Sequence, residues 1–214
     1  MLHTKNFMLH SEKNWLVHHP LFGALQRGGE GPWAVFAESF APLIYSVPAF
    51  LGVTLARADM QARSFLASIW ADEVGHSGVP SHPSLFEAFH RRAIASNRVY
   101  PEQHQHGIAA ACEMIALCGS GPWPIGIAAM LAHEREFPNA YASLMERASA
   151  ELGEDCEFFR VHAVADLEHT TLALSLLDMA VERQVAAEDE IQMSHKRSRA
   201  VLRDLADRAW DVLR

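Results

Sequence analysis

The sequence is poor in cysteine: three residues in 214, at positions 112, 118 and 156, with no Cys-x-x-Cys pair and no even set for a disulfide framework. Cysteine-built zinc or iron–sulfur sites are thereby disfavoured, and a reducing compartment is expected. No run of 18 uninterrupted apolar residues occurs, and no basic segment leads into a hydrophobic one, so neither a membrane span nor a secretory signal is expected. Basic residues gather nowhere beyond Lys196-Arg197-Ser198-Arg199, and a formal net charge of -8 argues against nucleic acid as a partner. No segment sustains apolar–polar alternation, which argues against a sheet protein. What remains is a soluble, cytoplasmic, all-α chain, long enough for one domain over residues 1–214 and too short for two large ones.

Histidine, by contrast, is abundant, with 13 residues. In the stretch Phe158 to Thr170, His162, Asp166 and His169 fall within a sector of roughly 60° at about 100° per helical residue. Two imidazoles and a carboxylate therefore leave one helix in the same direction. A random draw from this composition would contain that His-x3-Asp-x2-His pattern in only about 0.03 of such sequences, so chance is a poor explanation. Val161, Val164, Ala165, Leu172 and Leu176 flank the triad at helical spacing, which sets it into a core-facing surface. Buried there, the three groups need either a metal or a closed network of polar partners.

The apolar periodicity predicts roughly seven or eight helices in a compact bundle. Residues 1–14 read as an extended arm, and a short helix around Leu21 to Leu25 ends at Gly28-Gly29. A stronger helix spans Trp33 to Tyr45, with Pro42 and Pro48 expected to bend or restart it. Further helices are expected over 49–58, over 60–75 with Phe65, Leu66, Ile69 and Trp70 inward, and over 84–95. The next covers 102–118 with Ile108, Cys112, Ile115 and Leu117 inward, and another starts at Pro124. The last two cover 154–184 and 187–213. Glu134 lies one turn beyond Met130 and Leu131 on their buried side, whereas Glu136 points elsewhere and is expected to be solvated. Pro138 removes the backbone donor for the Glu134 carbonyl, so a kink is expected beside that carboxylate.

Other groups can join the triad. Glu73 and His76, three residues apart, are neighbours on one helix face and can grip one ion, while His82 in the following Gly- and Pro-rich loop can fold back toward Glu73 or cap the next helix. Glu38, set in an apolar stretch, is either a ligand or the partner of a buried base. The collected set, Glu73, His76 or His82, Glu134, His162, Asp166 and His169, mixes carboxylate and imidazole in the manner that suits iron or manganese.

These residues carry a resemblance. Phe158-Phe159-x-Val161-His162-x3-Asp166-x-Glu168-His169, preceded by Glu134-x3-Pro138 and by Asp72-Glu73-x-Gly75 with His82-Pro83-x-Leu85-Phe86 downstream, resembles the heme-oxygenase-like di-iron oxidases and oxygenases over roughly residues 33–176. The resemblance implies the compact helical fold of heme oxygenase without heme, and two Fe(II) ions held by Glu73, Glu134, His162, Asp166 and His169. It implies one further His from the first motif: some members match His76 and others His82, and helix geometry favours His76. Glu38 stands where some members offer an extra carboxylate. The implied chemistry is O2 activation followed by N-oxygenation, desaturation or carbon–carbon cleavage of a small, amino-acid-derived substrate in natural-product biosynthesis. Phe40, Tyr45, Trp70 and Phe137 either line the substrate pocket or are plain core. A homodimer is left open. Two rivals are a cofactor-free thiaminase-like or pyrroloquinoline-quinone-synthase-like enzyme of the same fold, and a non-catalytic helical scaffold or regulator.

Overall fold

The computed structural model describes residues 15–95, 100–153 and 157–214, so the arm expected over 1–14 and Cys156 lie outside the described residues. After a 3-10 turn at Leu16–His18 come α1 (Pro20–Arg27), α2 (Glu30–Tyr45), α3 (Val47–Arg57), α4 (Met60–Val74) and α5 (His82–Ala93). The chain continues through α6 (Pro101–Gly119), α7 (Trp123–Leu152), α8 (Glu157–Glu182) and α9 (Glu188–Asp211). The fold is all-α. Only Ser46 separates α2 from α3, and counted as one bent helix they bring the total among the described residues to eight. The bend falls at Ser46, whose hydroxyl donates to the Pro42 carbonyl at 2.8 Å. Pro42 itself sits inside α2, and Pro48 lies in the first turn of α3, where a missing N–H costs nothing.

Every residue from Trp33 to Ile44 is buried, so α2 is the central helix, apolar all round. This explains why the stretch Glu30–Arg57 is apolar enough, by composition, to cross a membrane. Against it lies α6, at a distance set by Gly107: a Cβ there would stand 2.4 Å from the Ser39 carbonyl oxygen. The small residues Gly107, Ala110 and Ala111 therefore face inward, and the expected inward set is corrected: Ile108 and Cys112 are exposed. In α4 the inward face is Ala62, Leu66, Ile69 and Glu73, which leaves Phe65 and Trp70 partly exposed at 44 % and 37 %, against expectation.

The longest helix, α7, runs unbroken through Pro138 and pairs antiparallel with α8, the most extensive helix pair in the molecule. Two apolar bodies share this pair. Phe137, Tyr141, Phe158 and Phe159 belong to one, and Ile127, Leu131, Ala173 and Leu176 to the other. Glu134 on α7 and His162, Asp166 and His169 on α8 lie at the seam between them.

A second correction concerns Glu136, which is buried at 5 %. Its carboxylate pairs with Arg199 of α9 at 2.9 Å and accepts the backbone N–H of Trp15 at 3.1 Å, which pins the start of the described chain to the body. The partner lies far away along the chain, where no local pattern reveals it.

Candidate metal centre

On α8 the helical period puts His162, Asp166 and His169 on the buried face, at 8 %, 4 % and 5 % exposure. Val164, half a turn from His162, points outward at 64 %, so its expected place among the core-facing flanks is corrected. The His162 Nδ1–H donates to the Phe158 carbonyl at 2.8 Å, which leaves the Nε2 lone pair free to face the cluster.

Helix α4 delivers Glu73 at its last turn, and the loop to α5 then brings His82 back against it. His82 Nδ1 and Glu73 Oε1 are 2.8 Å apart, and the His82 ring lies 4.2 Å from that of His162. The preference for His76 is therefore corrected. The i, i+3 argument requires the helix to continue, but α4 stops at Val74, Gly75 turns away with φ of 77°, and the His76 ring lies 3.8 Å from Asp72 and in neither ligand group. Its side chain is 53 % exposed.

Across the cluster, His169 Nδ1 donates to Glu134 Oε2 at 3.2 Å and His169 Nε2 to Asp72 Oδ2 at 3.4 Å. The hydroxyl of Thr170 donates to the Glu134 carbonyl at 2.9 Å and so satisfies the acceptor that Pro138 leaves open. Two groups of ligand atoms result, Glu73 with His82 and His162, and Glu73 with Glu134 and His169, each within 4.8 Å of one another. Glu73 belongs to both.

Asp166 is buried beside these groups but belongs to neither. Glu38 is also outside them: its buried carboxylate meets His90 Nε2 at 3.3 Å and His104 Nδ1 at 3.5 Å, two partly exposed imidazoles that belong to neither ligand group. Phe40 and Phe137 are core residues packed edge to face at 6.1 Å. Tyr45 contacts His90 Nδ1 at 3.3 Å, and Trp70 donates to the Pro48 carbonyl at 3.3 Å, both at the surface. Among the described residues, none of the four makes a hydrogen bond or ring contact with a member of the two ligand groups.

The electrostatics of the cluster follow from its burial. Burial, reinforced by the negative charges of Glu134 and Glu73, holds the Asp166 carboxyl well above the ordinary range. Burial also raises Glu134, against the opposing pull of His169. For His169, burial disfavours the charge, but the bond to Glu134 outweighs it and lifts the imidazole to about 9. His162 is pushed down to about 3, by burial first and then by His82, so it is neutral and available as a ligand. Three buried carboxylates and three imidazoles, with no thiolate, form a donor set that fits divalent iron, whose charge would relieve the repulsion among the carboxylates.

Two neighbours went unrecognised in the sequence. Asp72 is half exposed and gives no periodic signal. Tyr141 does give one, seven residues after Glu134 on the same helix face. It is buried, its ring stands edge-on to His162 at 5.9 Å, and burial with the charges of Asp166, Glu134 and Glu73 raises its hydroxyl well above the usual value.

No curated protein matches the chain. A family model described as an iron-containing redox enzyme matches residues 34–201, from the central helix α2 through the ligand-bearing helices into α9. With most of its length covered by that match, the chain belongs to the heme-oxygenase-like family of iron-containing redox enzymes.

Proposed function

We propose that the chain is a non-heme oxygenase or oxidase that holds two iron ions in this cluster, activates O2 there and oxidises a small, amino-acid-derived molecule in natural-product biosynthesis. The reaction is an N-oxygenation, a desaturation or a carbon–carbon cleavage. One observation carries the reading: Glu73 is common to both groups of ligand atoms, and a carboxylate has two oxygens to give. On this reading His82 and His162 would hold one ion and Glu134 and His169 the other, with the buried Asp166 as a further carboxylate beside them. When bound, two ferrous ions supply the electrons that reduce O2 and the oxidising power that is turned on the substrate.

The protein's own residues hold and shield. His162 is oriented by the Phe158 carbonyl, and His169 by Asp72 at Nε2, which leaves its Nδ1, on the Glu134 side, for the ion. Phe137, Tyr141 and Phe158 pack as a sheath that keeps water from the buried side. Asp72, half exposed, marks the side from which small molecules reach the cluster.

Anaerobic titration with Fe(II) tests the proposal. The expected result is two equivalents per chain, O2 uptake on exposure to air, and fewer than two equivalents for Glu73→Gln. Binding of one equivalent or none by the wild-type chain, without O2 uptake, would falsify it.

A further inference from the structure

Tyr141 does more than fill space beside the cluster. Apart from His162, its ring neighbours are phenylalanines, which do not give up electrons readily: Phe137 stacked at 4.9 Å, Phe159 edge-on at 5.3 Å and Phe158 edge-on at 5.4 Å. Beyond Phe159, at 5.7 Å, lies Trp33. The indole N–H of Trp33 donates to the Glu151 carboxylate at 2.8 Å. Both residues line a surface cavity of about 310 Å³ that also includes Arg92 and Glu30. Phenol and indole, the two readily oxidised aromatic side chains, thus stand in file from the cluster to the cavity, and the indole N–H ends on a carboxylate.

We propose that Tyr141 and Trp33 form an electron-supply line from this cavity to the metal cluster, used when O2 oxidises the iron and no substrate is present. The inference rests on the di-iron reading above. In the first step the Tyr141 O–H bond would break, its electron passing to the oxidised cluster and its proton to one of the cluster's own carboxylates, Asp166, Glu134 or Glu73. A neutral phenoxyl radical remains. In the second step an electron from Trp33 and the same proton restore the phenol, while the indole N–H proton moves to Glu151 and leaves a neutral indolyl radical. A small thiolate reductant in the cavity then supplies the electron that restores the indole, Glu151 returns the proton, and the thiolate becomes a thiyl radical. The line protects the site by spending oxidising power at the surface.

The test uses the full chain, loaded anaerobically with two equivalents of Fe(II), mixed with O2 without substrate and freeze-quenched for electron paramagnetic resonance. The wild type is expected to show a tyrosyl radical. Tyr141→Phe is expected to lose it while still binding iron as the wild type does. Trp33→Phe is expected to lengthen the tyrosyl lifetime several-fold. Should that variant fail to fold, Glu151→Gln, which weakens the proton acceptor but keeps the indole, is expected to lengthen it likewise. O2 uptake by the wild type without any protein radical, a radical unchanged in Tyr141→Phe, or a lifetime unchanged in the folded Trp33 or Glu151 variant overturns the electron line alone. Absence of iron binding or of O2 uptake in the wild type overturns the di-iron reading and this inference together.

Discussion

Glu73 and His82 are nine residues apart in sequence and 2.8 Å apart in space. The loop that joins them is closed by the Val79 N–H on the His76 carbonyl, and it turns at Gly75, where φ is 77°. A Cβ at Gly75 would stand 2.7 Å from the Ser81 backbone nitrogen and 2.8 Å from the Val79 carbonyl oxygen, neither of which can swing aside. Gly75→Ala is therefore expected to strain the loop by about 1–3 kcal/mol and to draw His82 away from Glu73. Fe(II) titration should show weaker binding while far-UV circular dichroism stays unchanged. Wild-type affinity in this variant would show that the loop does not set the bite of the site.

The two histidines of this region separate cleanly by mutation. His82→Ala is expected to weaken iron binding by more than the roughly 10–100-fold lost when an outer-shell partner is removed. His76→Ala, whose side chain faces solvent, is expected to bind as the wild type does. Isothermal titration of both variants decides it, and the reverse ranking would return His76 to the site.

The buried pair Glu136–Arg199 should matter to stability and not to iron. Glu136→Ala removes the buried carboxylate shared by Arg199 and the Trp15 N–H, with an expected loss of up to about 3–5 kcal/mol in urea unfolding. Replacing both partners, as Glu136→Leu with Arg199→Met, is expected to recover most of that loss. A Glu136→Ala midpoint within error of wild type would refute the pairing.

His195 gives the fold a dependence on pH away from the site. It is 1 % exposed, contacts the Ala128 carbonyl through Nδ1 at 3.3 Å, and burial depresses it to about 4. Its unfolded value is about 6.5. Between those values the unfolded chain takes up a proton that the folded chain refuses, so this group's contribution falls as pH drops through the window, by up to ~1.4 kcal/mol per pH unit, and is constant above it. Urea unfolding at several pH values is expected to show a shallower acid loss for His195→Gln than for wild type. Parallel curves would assign the acid sensitivity to other groups.

Much of this architecture was legible in the sequence, because helices report their inward face by period. The triad on α8 and Glu134 on α7 emerge from that rule alone. The misses share a physical cause, which is that period identifies a face but not what approaches it. In α6 the bulky Ile108 is the natural choice for the core, yet α2 comes so close that only Gly107 and the alanines fit. Period alone places Glu136 on the solvent side because its partner, Arg199, is on another helix. His76 was favoured on a helix that had already ended, and the positive φ at Gly75 is the local sign that ends it. Tyr141 was overlooked although its spacing from Glu134 places it on the same face.

The seam between the two apolar bodies gives the cluster a mechanical meaning as well as a chemical one. Without a cation, repelling carboxylates sit at the joint of α7 and α8, where neither body can cover the other's edge with hydrocarbon. On the proposed reading, iron there would act as a rivet. Its loading should raise the melting temperature, since an ion that binds only the folded form stabilises it. Its loss should let the molecule begin to part along that line, so that the occupancy of the cluster would also decide how tightly the two halves are clamped.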